Sequence, residues 1–213
     1  MPNNDITLEN LSLRDLKNFE PHVPGLGGFV SRLLVNTYDE FIDELYTTID
    51  KIISLKEQNP EFYQTDEEDK ITLDIKNHLV MLGYDASHEE KIGGHADLVV
   101  RKNSYLWIGE AKIHRSYPYL WRGFQQLNTR YSIGDSNQKD GGLLIYIRQA
   151  NAKSIMDRWK NHLFNQNLKN YISTDCPNRS LAFFSTHTHD RSGEPFRVRH
   201  IGISFYFNPQ DKM

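Results

Sequence analysis

The spacing of apolar positions changes several times along the 213-residue chain, and each change marks an element. Tyr38, Phe41, Ile42, Leu45, Ile49, Ile52 and Ile53 recur at three- and four-residue intervals. That period predicts a helix from about Thr37 to Lys56, closed by Pro60. Ahead of it, residues 1–25 are polar with scattered leucines (Leu8, Leu11, Leu13, Leu16), then Pro21, Pro24 and glycines, the pattern of a loosely packed arm. Ile71, Ile75, Leu79 and Leu82 form the stripe of a second helix, from about Thr65 to Leu82. Thr65 and Glu68 have capping-box spacing, and Gly83 is a natural stop.

From residue 84 to 113 the pattern is that of short strands. Pro118 then opens a helix with Leu120, Phe124, Leu127 and Tyr131 on one face. Gly141-Gly142 leads into Leu143–Ile147, a continuous apolar run fit for a buried strand. Ala152–Leu163 is again amphipathic, and Leu181–Ser185 and Val198–Phe207 read as two closing strands. The order after the first helix is α-β-β-β-α-β-α-β-β. That order predicts an α/β protein with a mixed sheet and helices packed on it. There is no internal repeat and no low-complexity tract.

One strand pair concentrates the chemistry. Two strand-like runs, Gly93–Val100 and Leu106–Lys112, flank Lys102-Asn103-Ser104-Tyr105, with a two-residue turn at Asn103-Ser104. With a two-residue turn, the numbers of cross-strand partners sum to 207, which sets Asp97 opposite Glu110. Directly opposed residues share a face, with β-carbons about 5 Å apart. Lys112, two residues beyond Glu110, lies on that face too. The neighbours are apolar on both sides of the pair: Val99, Leu106 and Ile108 on one, Leu98, Val100 and Trp107 on the other. Two carboxylates in such a place repel unless a positive group joins them, and a hard divalent cation is one such group. On the preceding helix, Glu68 lies about 20° from Ile75 at 100° per residue, so it faces the sheet. Glu67 and Asp69 point about 80° and about 120° away from that stripe. Glu68 could therefore supply a third carboxylate or cap its own helix with Thr65, and the two roles are compatible.

Asp97, twelve intervening residues, Glu110-Ala111-Lys112 and an acid on the helix before together resemble the PD-(D/E)xK nuclease superfamily, with Ala96 where the name has proline. The resemblance runs from about Thr65 to Ile147. It implies a restriction-endonuclease-like core, a mixed central sheet flanked by helices, at residues 61–213. Residues 1–60 would be an N-terminal arm and helical extension. By the same resemblance Asp97, Glu110, the Ala111 carbonyl and Glu68 would hold Mg²⁺ or Mn²⁺. Lys112 would orient the attacking water and balance charge at the phosphate. A glutamine on the next helix (Gln125 or Gln126) with Tyr131 downstream is similar to a further family feature, at a looser spacing.

Composition narrows the setting. Hydrophobic residues are 38% and charged residues 25% of the chain, which is globular composition. The formal charge of −3 hides a split. Residues 1–110 hold 10 Lys and Arg against 21 Asp and Glu, whereas residues 111–213 hold 15 against 7. A polyanion is expected on the surface built after residue 111 and away from the acidic N-terminal helix. No apolar run reaches the ~20 residues of a membrane span, the longest (Gly28–Val35) being broken by Arg32. The first residues do not have the pattern of a secretory signal, and one cysteine, Cys176, excludes an intramolecular disulfide framework. A cytoplasmic location is the default expectation.

Other residues carry two readings each. His95 should share the face of Asp97, either touching a phosphate or a metal-bound water or sitting partly buried with a backbone partner; His114, two beyond Lys112, reads the same way. Tyr117, Tyr119 and Trp121, interleaved with Arg115 and Arg122, suit base stacking and phosphate binding, or helix-entry packing. His187-Thr188-His189-Asp190 reads as a solvated hairpin loop, Arg197, Arg199 and His200 as surface charge, and Cys176 as inert.

The expected activity is metal-dependent hydrolysis of phosphodiester bonds, with DNA, cut internally, as the preferred substrate and bacterial antiviral defence as the setting. The motif does not read the 2′-OH, so RNA stays open. A second reading makes the chain a nucleic-acid-binding or scaffold subunit, active only with a partner. The N-terminal helix would be the contact for a partner protein or a second copy.

Overall fold

The computed structural model describes residues 11–23 and 26–211. Two compact units, Met1–Thr48 and Ile49–Met213, divide inside one long helix; the sequence pattern sets its division near residue 60.

In the first unit, part of the expected arm is helical. Helix α1 (Leu13–Phe19) starts from a Ser12–Asp15 capping box and buries none of its side chains. Local capping bonds are thus enough to form a turn that hydrophobic periodicity does not announce. Residues 1–10, with Leu8, and residues 24–25, with Pro24, lie outside the described residues. Helix α2 (Phe29–Leu33) has its first N–H groups capped by the Glu20 carboxylate, at 2.5 Å from Val30 N and 3.2 Å from Ser31 N. Helix α3 (Tyr38–Glu57) opens on a reciprocal Thr37–Glu40 cap and carries Phe41, Ile42 and Leu45 buried on one stripe.

The second unit is a seven-stranded mixed sheet between helices. Its strands are β1 (Asp85–Ser87), β4 (Leu98–Lys102), β5 (Tyr105–Ile113), β6 (Asp140–Ile147), β7 (Ile172–Asp175), β8 (Ala182–Thr188) and β9 (Pro195–Ser204). The spatial order is β1-β4-β5-β6-β9-β8-β7. A separate two-stranded piece pairs β2 (Glu90–Lys91) with β3 (His95–Ala96). β5, β6 and β9 run parallel, and β6 is buried along its whole length, as a central parallel strand covered on both faces must be.

Helix α5 (Tyr117–Gln126) and helix α6 (Ala152–Phe164) cover one face. There Leu120, Phe124, Met156 and Trp159 pack on Val99, Ile108, Leu143 and Ile145. Helix α4 (Glu68–Met81) lies on the other face, with Ile71, Ile75 and Leu79 fully buried and Thr72 Oγ1 at 2.8 Å from the Tyr146 hydroxyl. Trp107 lies across Gly109 and Gly142, where a β-carbon at either position would collide with its ring. Gly109 on β5 and Gly142 on β6 thus leave the ring its place between the two strands. The end of α3 that belongs to this unit is tied to its other elements by part-buried ion pairs, Lys56 to Asp74 and Asp50 to Arg199, the latter at 2.7 Å.

Several expectations need correcting. Thr65 does not cap α4: the helix begins at Glu68 after N-cap Glu67, and no side chain caps it, because Glu68 is turned to other partners. β8 extends to Thr188, and His187 and His189 are buried rather than solvated. Asn128 and Ser132 supply the polar partners that make that burial tolerable, at 2.7–2.9 Å. Arg199 and His200 are core residues, not surface charge: Arg199 pairs with Asp50 and lies 3.2 Å from buried Cys176 Sγ, while His200 bonds Trp159 and Ser185. β7 is an edge strand too short and too exposed to have shown a pattern. No helix among the described residues is long and apolar enough to cross a membrane.

Candidate functional site

The β4–β5 hairpin turns at Asn103, whose φ of 55° is left-handed, and its pairs run from Lys102↔Tyr105 to Leu98↔Gly109. Every pair sums to 207, as the two-residue turn requires. The ladder ends one pair short of Asp97 and Glu110, since Asp97 sits in a bend between β3 and β4. Past that point the edge of β5 has lost its partner strand, and two carboxylates take over the backbone donors. Ala111 N–H donates to Asp97 Oδ2 at 2.8 Å, and Ile113 N–H donates to Glu68 Oε2 at 2.5 Å. Buried N–H groups need acceptors, so the end of β4 explains why two acids from distant segments converge on one strand edge.

Lys112 lies among them. Its Nζ is 2.6 Å from Glu110 Oε1, 2.7 Å from the Ala111 carbonyl oxygen, 3.3 Å from Glu68 Oε1 and 3.6 Å from Asp97 Oδ2. Glu110 is 1% exposed, and its Oε2 is buried with no hydrogen-bond partner. Burial and then the neighbouring Asp97 push the Glu110 carboxyl up to about 8, against the pull of Lys112. Burial also raises Asp97 and Glu68, and Lys112 with the backbone donors offsets only part of it. Burial draws Lys112 down, but Glu110, Asp97 and Glu68 together hold it above its ordinary value. The three acids therefore favour the charged ammonium.

The stem of Lys112 runs between the sheet and α5, where Gly123 leaves it room. A groove of about 650 Å³ opens beside it, lined by Lys112, Tyr119, Arg122, Gln125, Gln126, Thr129 and Arg130. Tyr119 donates its hydroxyl to Glu68 at 3.4 Å and has the Arg115 and Arg122 guanidinium groups 5.5 Å and 5.4 Å from its ring. Tyr117 stacks on His162 and Trp121 on Phe124, so these rings are engaged within the protein. The groove therefore offers cations, amides and the Tyr119 ring, and not the rings of Tyr117 and Trp121.

After α5 the chain makes one π turn, Leu127–Tyr131, closed by Ser132 N–H to the Leu127 carbonyl at 3.2 Å. Tyr131 ends it and donates to the His95 carbonyl at 2.8 Å, two residues before Asp97. Burial, then Glu110 and Asp97, push its hydroxyl up to about 12.

Glu68, Asp97, Glu110, Ala111 and Lys112 are thus brought together, Arg122, Gln125 and Gln126 line the adjoining groove, and Tyr131 bonds the segment that carries Asp97. Arg115 is exposed beyond Tyr119. His95 is exposed, its Nδ1 3.3 Å from the Glu89 carbonyl oxygen. His114 bonds Gln149 at 3.3 Å. Sequence pattern did not single out Thr129 and Arg130, which depend on the π turn, or His88, whose Nδ1 meets the Asp97 carbonyl oxygen at 2.5 Å.

The donor set is all oxygen, with one orphaned carboxylate oxygen, which suits a hard divalent cation. The three carboxylates stand around the ammonium rather than at one point. Among the described residues, the acid and histidine donors within 4.8 Å of one another are Asp69, His88 and Glu89, two of them exposed. Comparison with models of protein families, with curated proteins and with solved structures finds no match to this chain.

Proposed function

We propose that this chain is a metal-dependent nuclease of the PD-(D/E)xK kind, with a restriction-endonuclease-like core and DNA as its preferred substrate. The observation that carries the reading is the convergence of Asp97, Glu110, the Ala111 carbonyl and Glu68 on Lys112, at the open end of a buried strand pair. Asp97, Glu110 and the Ala111 carbonyl would hold Mg²⁺ or Mn²⁺, with Glu68 assisting. The cation, when bound, supplies neutralisation of the phosphodiester charge and a more acidic attacking water.

The remaining work falls to the chain's own groups. Lys112, held protonated, serves as a positive charge that orients the attacking water and receives charge developing at the phosphate. It is not the proton acceptor, since its carboxylate neighbours oppose loss of its proton. Arg122 and Arg130 hold the flanking phosphates, and Gln125, Gln126 and Thr129 offer neutral hydrogen bonds along the same groove. Contacts of this type read the backbone, so binding is expected to depend little on sequence and strongly on salt.

The test is an assay of the purified protein with Mg²⁺ on linear duplex, circular duplex, single-stranded DNA and RNA. Cleavage of DNA that is lost in Glu110→Gln and Lys112→Ala, with both variants folded, supports the reading. Cleavage by both variants at the wild-type rate overturns it.

A further inference from the structure

Lys112 makes, with its ammonium, the contacts a divalent cation would need: Glu110 Oε1 at 2.6 Å, the Ala111 carbonyl at 2.7 Å, and Glu68 and Asp97 slightly farther. A cation bound by those oxygens stands roughly 2.0–2.6 Å from each. An ammonium at hydrogen-bond distance from the same atoms would then lie a few ångströms from a double positive charge, in a buried place where repulsion is poorly screened. We propose that Lys112 and the divalent cation compete for these oxygens, and that entry of the cation turns the ammonium out into the adjoining groove. This rests on the nuclease reading and adds to it a link between cation and substrate.

Two observations say where the ammonium goes. The stem is confined: Gly123 is so close that a β-carbon there would stand 2.8 Å from Lys112 Cγ and 3.1 Å from Cε. Motion is therefore restricted to the ammonium itself, by rotation about the Cδ–Cε bond. On that side lies the groove with Arg122 and Arg130, and the Tyr119 ring centre is 6.0 Å from Nζ. Turned this way, Lys112 adds a third cation to the surface that faces the phosphates. Cation binding thereby strengthens substrate binding, and by linkage substrate strengthens cation binding.

The full chain is titrated with Mn²⁺ by electron paramagnetic resonance, as wild type, Lys112→Met and Glu110→Gln. In parallel, acetylation of Lys112 in the wild type is followed by mass spectrometry with and without Ca²⁺. Competition predicts that Lys112→Met binds Mn²⁺ about tenfold more tightly than wild type, the size expected from removing one charged contact. It also predicts that Ca²⁺ speeds acetylation of Lys112 several-fold and leaves exposed Lys153 unchanged. If Lys112→Met fails to fold, the acetylation measurement on the wild type decides alone. Mn²⁺ binding that needs Glu110 but is no tighter in Lys112→Met, with acetylation unmoved by Ca²⁺, overturns the competition and leaves the nuclease reading standing. Mn²⁺ binding that is absent, or unaffected by Glu110→Gln, overturns both.

Discussion

Gly123 on α5 packs against the side chain of Lys112 on β5 so closely that a β-carbon would stand 2.8 Å from Lys112 Cγ. The helix can cross the strand there only because position 123 has no side chain. The same approach confines the lysine whose ammonium meets three carboxylates.

Gly123→Ala should therefore act on chemistry more than on folding. Alanine is favoured over glycine inside a helix by about 1 kcal/mol, which offsets part of the crowding. We expect cleavage to slow by about tenfold to a hundredfold, the scale of a displacement near 1 Å. The thermal midpoint should shift by only a few degrees. Activity assays beside melting curves check this, and equal losses in both would point to plain misfolding.

Glu110 gives a pH prediction. Its carboxyl is pushed up to about 8, above the ordinary carboxylate value it has when unfolded. A raised folded pKa means a stability contribution present at low pH that is lost as pH climbs through about 8. Without divalent cations, wild type should thus lose stability relative to Glu110→Gln between pH 5 and pH 9. Urea midpoints at both pH values, in a chelator, measure the difference. A gap that does not widen with pH would contradict the assignment.

Arg122 and Arg130 should each contribute one phosphate contact. Replacing either by alanine should weaken binding of duplex DNA uniformly across sequences and reduce the salt slope of the affinity by about 1. Binding measured by fluorescence anisotropy in Ca²⁺ over a range of salt tests this. An unchanged slope in the double variant would move the nucleic acid off this groove.

His187 and His200 predict acid sensitivity. Burial holds them down to about 4 and about 3, with His200 lowered further by His187. Both are neutral in the fold and protonate on unfolding near ~6.5. Stability is then complete above that pH and falls as pH drops toward 4. His200→Gln should flatten this loss, visible as a smaller fall in urea midpoint between pH 7 and pH 4.5. A fall as steep as wild type would exclude His200 as a source.

Much of the layout is legible from local pattern. Ile71, Ile75 and Leu79 give α4 its buried stripe, and a two-residue turn at Asn103-Ser104 dictates the 207 register of the hairpin. These are short-range rules, since side-chain period and turn length act over a few residues. The burial of His187, Arg199 and His200 was not legible. A polar residue is tolerated inside when it finds partners, and Asn128, Asp50 and Trp159 lie far off in sequence.

The same division holds at the candidate site. The chain by itself determined that Asp97, Glu110 and Lys112 share one end of a strand pair, because strand alternation and turn length leave no other register. It also turned Glu68 toward the sheet, through helical period. Only the tertiary structure decided that β4 stops before Asp97, that Asp97 and Glu68 accept the freed N–H groups of Ala111 and Ile113, and that the Lys112 ammonium stands among all the acids. Those outcomes depend on where a partner strand ends and how closely α5 crosses at Gly123. Both are set by contacts between distant segments, which leave no periodic trace in the sequence.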